Sequence, residues 1–198
     1  MAQKHLVLFD FDGTLTRKDT LFAFIRFYHG TLRFLLGFAW LSPVMALYMT
    51  KLIRNDRAKE IVLKHFFGNV PVTKLRTKGI EFATTVVPSL LRDQGLALLK
   101  DYKQKQYDIA VVSASPEDWV GPWCAQWQIR CLATQLETRD NLLTGKIKGQ
   151  NCFGEEKARR IREAYDLAGY DRIIAYGDSR GDREMLALAT DPHYRSIV

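Results

Sequence analysis

The sequence predicts an α/β fold in which a doubly wound, Rossmann-like parallel sheet carries an inserted helical cap. The sequence has three short apolar runs, residues 6–9, 107–112 and 173–175, and polar residues follow each of them. Runs of this length and composition are typical of strands that are buried on both faces. Stretches with helical periodicity separate the runs, and strands that alternate with helices form parallel sheets. The long stretch between the first two runs has no strand pattern, which indicates the insert.

The same patterns predict the elements in chain order. Pro116 is expected at the first position of a helix, which its fixed φ favours. Trp119, Trp123 and Trp127 then form a stripe that we interpret as core packing. The predicted elements are a strand at 5–11, the helical insert at 19–85, a helix at 88–105, strands at 107–112 and 131–137, a hairpin at 141–147, a helix at 155–168, a strand at 173–175 and a helix at 183–189. The core domain is therefore assigned to residues 1–15 and 86–198, and the cap to residues 16–85.

The composition suits one α/β core with an insert. The chain has 198 residues, of which 47% are hydrophobic, enough to fill a core of this size. Cys124, Cys131 and Cys152 form no CxxC pair, so we expect reduced thiols, as in the cytosol. Because no signal-peptide pattern precedes the first strand, a cytoplasmic protein is expected. The chain after Asp191 predicts a last edge strand that is short or missing.

Two carboxylates follow the first predicted strand directly. Asp10 and Asp12 stand two residues apart, and Gly13 and Thr14 then break the apolar pattern. Functional sites of α/β sheets lie at the carboxyl ends of the strands. Two acids at that place would repel each other and lose hydration, so a cation is expected between them. A simple Asp-Gly surface turn would leave the second acid and the downstream motifs unexplained.

Further polar residues follow the later strands in a fixed order. Ser113 ends the second apolar run, Lys157 stands near the start of a helix, and Asp178 and Asp182 follow the third run. Together with the Asp-Phe-Asp-Gly-Thr stretch, these motifs resemble the haloacid dehalogenase-like superfamily of phosphohydrolases. More narrowly, they resemble the branch that contains the phosphoserine phosphatases and phosphatidylglycerophosphatase C. The resemblance covers nearly the whole chain.

The resemblance implies Mg²⁺-dependent hydrolysis of a phosphomonoester through an aspartyl-phosphate. Asp10 would attack phosphorus, and Asp12 would protonate the leaving oxygen and then activate water. The Mg²⁺ ligands would be the carboxylates of Asp10 and Asp178 and the backbone carbonyl of Asp12, because this ion prefers oxygen. Asp182 would support the groups that ligate the metal without itself contacting the ion.

Two more residues would hold the phosphoryl group, and a third would meet the rest of the substrate. The resemblance implies that Ser113 donates to a phosphoryl oxygen and that Lys157 neutralises its charge. Asp19 stands where phosphoserine phosphatases bind the amino group of the substrate, although an Asp before a helix is equally typical of an N-cap. Ala114 and Ser115 replace the glycines that follow the serine in that family, and this departure argues against phosphoserine as the substrate.

The net charge of +7 is concentrated in the insert. Residues 16–85 carry twelve Lys and Arg against four Asp and Glu, whereas the rest of the chain carries seventeen against eighteen. Within the insert, the seventeen residues from Phe34 to Thr50 are all uncharged. This length is the short limit for a membrane span, and Pro43 lies near the middle. Two short helices that bend near Pro43 and dip into one leaflet fit better.

Basic residues flank this apolar stretch and suit contact of residues 33–54 with an anionic membrane. The flanking set is Arg26, Arg33, Lys51, Arg54, Arg57 and Lys59. The sequence therefore favours a phosphatase that acts on a phosphorylated lipid headgroup, such as phosphatidylglycerophosphate, at the inner face of the cytoplasmic membrane. The alternative is a soluble, phosphoserine phosphatase-like enzyme for a small metabolite, with the apolar stretch buried in the cap or in a dimer interface.

A third reading is a binding module for membrane or nucleic acid whose acids have no catalytic role. The complete motif set argues against it, and no aromatic-basic surface pattern indicates nucleic acid. We therefore expect a phosphomonoester as the substrate and no nucleic acid partner. The sequence leaves the oligomeric state open.

Overall fold

One five-stranded parallel sheet forms the centre of the computed structural model, which describes residues 3–197. The seven strands are β1 His5–Phe9, β2 Asp108–Pro116, β3 Arg130–Thr134, β4 Leu136–Arg139, β5 Leu142–Ile147, β6 Arg172–Gly177 and β7 Asp191–Tyr194. The sheet order is β3-β2-β1-β6-β7, and every pair in it is parallel. The chain thus winds outward from β1 in both directions, which confirms the predicted doubly wound α/β fold.

Helices cover both faces of this sheet. They are α1 Thr20–Trp40, α2 Ser42–Met49, α3 Asn55–Phe67, α4 Val72–Thr85, α5 Val87–Leu90, α6 Asp93–Gln104, α7 Glu117–Gln126, α8 Glu155–Ala164 and α9 Arg183–Leu186. Successive side chains of β1 point to opposite faces. Val7 and Phe9 join the larger apolar cluster, while Leu6 and Leu8 join a smaller one. The first four helices lie within the proposed cap, residues 16–85, and their apolar sides belong to the larger cluster.

The tryptophan stripe of α7 packs in the core, as expected. Trp119 and Trp123 are almost completely buried, and Trp127 is half-buried against the same cluster. The helix predicted over 88–105 is instead two helices, α5 and α6. The break has a clear cause, because Leu91 forms a bridge with Thr16 and the Arg92 N–H donates to the Leu15 carbonyl at 2.8 Å.

The strand predicted over 131–137 is also divided. β3 ends at Thr134 in the main sheet, and β4 pairs with β5 in a separate antiparallel hairpin. Asp140 and Asn141 form its two-residue turn with φ of 50° and 62°, the combination typical of a type I′ turn. Elsewhere the predicted boundaries were too long, since β1 ends at Phe9, α8 ends at Ala164 and α9 ends at Leu186.

The uncharged stretch of the insert forms the second half of α1 and the whole of α2. Gly30 interrupts α1 with φ 79° and ψ 165°, and the two helices meet at Leu41 with a bend of 61°. No helix of the described chain is by itself long and apolar enough to cross a membrane; this bent pair meets the length and composition criteria only together. The bend near Pro43 therefore agrees with the sequence prediction, while α1 begins far earlier than the apolar stretch does.

Much of the second half of α1 is exposed. Leu32, Leu35, Leu36 and Trp40 are each more than half exposed, and their spacing places them on one stripe of α1. The opposite side of the helix, including Phe34 and Phe38, packs against the larger cluster. Burial of the whole stretch inside the cap, one form of the alternative reading, is therefore wrong. We refer below to the four exposed residues as the apolar stripe.

Candidate active site

Three strands bring the motif residues to one edge of the sheet. β1 lies between β2 and β6, with Phe9 opposite both Val111 and Tyr176. Asp10 follows β1, Ser113 lies in β2, and Asp178 follows β6. Because the strand order reverses at β1, this edge is the topological switch point, where ligands bind in open α/β sheets.

Asp10 is buried and holds one free carboxylate oxygen. Its N–H donates to the Tyr176 carbonyl at 2.9 Å, which continues the strand pairing. Oδ1 accepts a hydrogen bond from Lys157 Nζ at 2.5 Å, whereas the buried Oδ2 has no hydrogen-bond partner in the described chain. Burial raises the pKa of Asp10 to about 8, although the charge of Lys157 acts in the opposite direction. A cation bound beside Oδ2 would favour the ionised form of this carboxylate.

Lys157 connects two of the carboxylates. It lies in the first turn of α8, is almost fully buried, and its Nζ is 2.6 Å from Asp182 Oδ1. Burial disfavours the charged lysine, but the carboxylates of Asp10 and Asp182 outweigh burial and raise the pKa of Lys157. A permanently charged lysine between two carboxylates is the expected result.

Asp182 is held rigidly at the start of α9. Its Oδ2 accepts hydrogen bonds from the Ser179 hydroxyl at 2.7 Å, the Ser179 N–H at 2.9 Å and the Asp178 N–H at 3.2 Å. Burial acts to raise the pKa of Asp182, but the charge and hydrogen bond of Lys157 and the Ser179 contacts lower it. Both oxygens are therefore occupied, so this side chain suits a supporting role behind the site.

Asp178 completes an acidic cluster with Asp10 and Asp182. One carboxylate oxygen from each lies within 4.8 Å of the others, close enough to surround a metal ion. Thr14 Oγ1 donates to Asp178 Oδ1 at 3.3 Å. Burial raises the pKa of Asp178, and the Asp182 charge adds to this effect. Gly13 makes room for the cluster, since a Cβ built there would be 2.4 Å from Asp178 Oδ2.

Asp12 and Ser113 are hydrogen-bonded to each other near the start of α1. Asp12 Oδ1 accepts from the Thr20 N–H at 2.6 Å, and Ser113 Oγ donates to Asp12 Oδ2 at 3.3 Å. Ser113 Oγ also accepts from the Ser115 N–H at 3.0 Å. These contacts fix the Asp12 carboxylate against the start of α1.

Asp19 is the N-cap of α1. Its Oδ1 accepts from the N–H groups of Leu21 and Phe22 at 2.8 and 3.4 Å. This capping role is one of the two alternatives that the sequence left open. A role in substrate binding stays a prediction.

Sequence reasoning assigned Lys59 to the basic flank of the apolar stretch, and this assignment is wrong. Lys59 extends from α3 toward the site, where Nζ donates to the Ala114 carbonyl at 3.0 Å and to Asn151 Oδ1 at 3.2 Å. Burial lowers the pKa of Lys59, while the carboxylates of Asp19 and Asp12 act to raise it. Only its spacing on α3, three and four residues before the buried Val62 and Leu63, could have indicated an inward side chain.

Asn151 is a second residue that the sequence did not reveal. Its amide joins the core to the cap, since Nδ2 donates to Asn55 Oδ1 at 3.0 Å and Oδ1 accepts from Thr134 Oγ1 at 3.0 Å. The loop before α8 carries no motif that distinguishes Asn151 from its polar neighbours. Together with Lys59, it holds α3 over the carboxyl edge of the sheet.

A buried carboxylate with one free oxygen, within an acidic cluster at the switch point, is typical of an enzyme active site. The family model of the haloacid dehalogenase-like hydrolases matches residues 7–187, and the chain belongs to this family. Protein CicA of Caulobacter vibrioides is 34% identical over 194 residues, which span 96% of this chain and 85% of that protein. A probable phosphatase of Mycobacterium tuberculosis is 30% identical over 185 residues, which span 90% of this chain and 64% of that protein.

Solved structures share the fold. A protein of unknown function from Bordetella pertussis Tohama I superimposes with a TM-score of 0.82 at 23% identity, over 96% of this chain and 88% of that one. A phosphoserine phosphatase, as an analogue of its phospho-aspartyl intermediate, superimposes with a TM-score of 0.68 at 20% identity, over 95% of this chain and 84% of that one. The predicted phosphoserine phosphatase-like fold is thereby confirmed.

Proposed function

We propose that this protein is a Mg²⁺-dependent phosphatase that hydrolyses phosphomonoesters through a phosphorylated Asp10. The free, buried Oδ2 of Asp10 is the observation that carries the proposal. A buried polar atom without a partner is costly, and such atoms are characteristic of catalytic groups or ion ligands. The description of the mycobacterial relative as a probable phosphatase supports the same chemistry.

The proposed reaction has two displacements at phosphorus. Asp10 attacks phosphorus, the ester P–O bond breaks, and the Asp12 carboxylic acid gives its proton to the leaving oxygen. Asp12, now ionised, then takes a proton from water as that water attacks the aspartyl-phosphate. The acyl P–O bond breaks, which releases phosphate and restores Asp10. Lys157 and the Ser113 hydroxyl neutralise and hold the phosphoryl oxygens through both steps.

The acidic cluster fits a Mg²⁺ ion. Asp10 and Asp178 would hold it by their carboxylates, and Asp12 by its backbone carbonyl, because all three offer the oxygen ligands that this ion prefers. Asp182, whose oxygens are already hydrogen-bonded, would orient Lys157 and the Asp178 loop instead. The ion would supply positive charge where the carboxylates and the phosphate repel each other.

Gly13→Ala is expected to weaken metal binding. The added Cβ would lie 2.4 Å from Asp178 Oδ2, so the Asp178 carboxylate must leave its position in the acidic cluster. A displacement near 1 Å in a catalytic site costs on the order of a hundredfold in rate. We expect kcat/KM for a soluble phosphate ester to fall at least about tenfold and the Mg²⁺ concentration for half-maximal rate to rise.

Gly149→Ala is the matched control for this variant. Gly149 also has a positive φ, 75° against 86° at Gly13, but its Cβ would meet nothing within 4 Å. If kcat/KM fell equally in the two variants, backbone strain would explain the effect. That result would contradict the proposed metal position.

The proposed substrate is a phosphorylated lipid headgroup, such as phosphatidylglycerophosphate, at the inner face of the cytoplasmic membrane. Helix α1 supports this proposal, because it holds Asp12 through Thr20 at its first residue and carries the apolar stripe in its second half. A contiguous exposed apolar surface is typical of a membrane or protein contact. The same helix would thus join the membrane surface to the site.

The basic flank of this surface is smaller than the sequence suggested. Arg54 pairs with Asp56, Arg57 pairs with Glu60, and Lys59 lies in the site. Arg33 and Lys51 have no carboxylate partner within the described chain, so they can contribute to contact with anionic lipids.

Leu35→Asp combined with Trp40→Asp is expected to release the protein from vesicles of phosphatidylcholine and phosphatidylglycerol in equal parts. Each large apolar side chain contributes about 1.5–3 kcal/mol when buried, so loss of both should weaken binding at least about a hundredfold. Flotation of the protein with vesicles measures this. Ile80→Asp, an exposed apolar position on α4, should bind like the parent. Absence of parent binding at low salt would contradict the membrane proposal.

The alternative substrate class is a soluble metabolite. It is favoured by Asp19 and Lys59, whose opposite charges lie near Asp12 and would match a leaving group that carries both an amine and an acid. A screen of phosphate esters with Mg²⁺, with lipid phosphates in mixed micelles, separates the two classes. Higher kcat/KM for a soluble ester than for every lipid ester would favour the alternative.

A further inference from the structure

A small pocket opens beside the apolar stripe, between the second half of α1 and α3. Its volume is about 320 Å³, and its lining is His29, Arg33, Leu36, Gly37, His65 and Phe66; we call it the headgroup pocket. Gly37 allows the two helices to approach, because a Cβ there would be 2.4 Å from the Phe66 ring and 3.1 Å from His65 Nε2. The pocket is therefore built into the helix packing.

The headgroup pocket is lined by cationic and titratable groups and by no acid. Arg33 and His65 are exposed and form no ion pair within the described chain, and the same holds for Lys74 close by. Burial lowers the pKa of His29, and the positive charges of Arg33, His65 and Lys74 lower it further. His29 Nε2 is 2.9 Å from the Phe66 carbonyl, so Nε2 carries the proton and donates it there. An anion in this pocket would be attracted by the charge of Arg33 and would meet no carboxylate in the lining.

The rim of the pocket decides which anion fits. Leu36 belongs both to the lining and to the apolar stripe, and it is 62% exposed. A soluble anion gains nothing from exposed leucine and tryptophan side chains. A phospholipid in a bilayer presents a phosphate and acyl chains side by side, which matches cations beside an apolar stripe.

We propose that the headgroup pocket binds the phosphate of an anionic bilayer phospholipid that is not the substrate. The pocket is distinct from the active site, because His29 lies about 14 Å along α1 from Thr20. A phosphate bound there would restrict rotation of α1 about its own axis at the membrane surface. The carboxyl edge of the sheet, which carries the active site, would then keep one orientation toward the lipid. This inference rests on the proposed membrane contact, and it does not depend on the proposed chemistry at Asp10.

The test compares two double variants in vesicle flotation. Arg33→Gln with His65→Gln removes the guanidinium and the exposed imidazole of the pocket, and Arg139→Gln with Lys100→Gln removes two exposed core cations as a control. The vesicles are phosphatidylcholine alone, or phosphatidylcholine and phosphatidylglycerol in equal parts. We expect the parent and the control to prefer the anionic vesicles, and the pocket variant to lose at least about tenfold of that preference while it still binds through the apolar stripe.

Three results would overturn the inference. If both double variants lost the same share of the preference for anionic vesicles, the preference would depend on overall charge and not on the pocket. An unchanged preference for anionic vesicles in the pocket variant would show that Arg33 and His65 do not bind the lipid phosphate. Self-association of the parent without vesicle binding would show that a second copy covers this surface. None of these results bears on turnover of a soluble ester by the parent, which tests the proposed function separately.

Discussion

Asp10→Asn is expected to lower kcat at least about a hundredfold while the protein stays folded. The asparagine keeps the shape of the side chain but removes the negative oxygen that would attack phosphorus. The fold should persist because Lys157 remains paired with Asp182 at 2.6 Å. Release of phosphate from a soluble ester at saturating Mg²⁺ measures the rate, and circular dichroism with thermal unfolding checks the fold.

Asp140→Asn is the matched control for this variant. Asp140 lies in the exposed turn of the β4–β5 hairpin with φ 50°, a conformation that asparagine tolerates well. Its rate should equal that of the parent. Retention by Asp10→Asn of more than about a hundredth of the parent rate would contradict the assignment of Asp10 as nucleophile.

Removal of divalent cations is expected to stop turnover, and Mg²⁺ is expected to restore it. Burial raises the pKa of Asp10 to about 8, and a bound cation would favour the ionised carboxylate that attacks phosphorus. A bound cation contributes several kcal/mol to transition-state stabilisation, so loss of at least about a hundredfold in rate is expected. The measurement is the rate in excess chelator, before and after titration with Mg²⁺.

Ca²⁺ should restore far less activity than Mg²⁺ does. Ca²⁺ takes more ligands at longer distances than Mg²⁺, and the small acidic cluster holds its carboxylate oxygens within 4.8 Å of one another. Full activity in excess chelator would contradict a metal-dependent reaction. Equal rates with the two ions would contradict a site that demands Mg²⁺ geometry.

The motif residues could be placed from the sequence because strand ends determine where they lie. Asp10, Ser113 and Asp178 each follow or end an apolar run, and parallel strands bring their carboxyl ends to one edge. The ion pair of Lys157 with both Asp10 and Asp182 could not be derived this way. It depends on how α8 packs against β2 and β3, which brings together residues that are 147 apart along the chain.

The cap was the part that the sequence described least well. Periodicity distinguishes an inward from an outward face only when the partner of the helix is known, so the sequence alone does not place Lys59 in the site. The helix break at Leu91 was also missed, because the local pattern is helical and the bridge to Thr16 overrides it. Conversely, the uncharged stretch predicted an unusual surface, and the exposed apolar stripe of α1 occupies it.

Identification of the phosphorylated residue tests the central proposal most directly. The enzyme is mixed with a phosphate ester and Mg²⁺, quenched with acid during turnover and treated with borohydride, which reduces an acyl phosphate and leaves a mass change on that residue. The account predicts the change at Asp10 in the parent, with none in Asp10→Asn. A change at Asp12 instead, or none on any residue in a parent that is turning over, would contradict it.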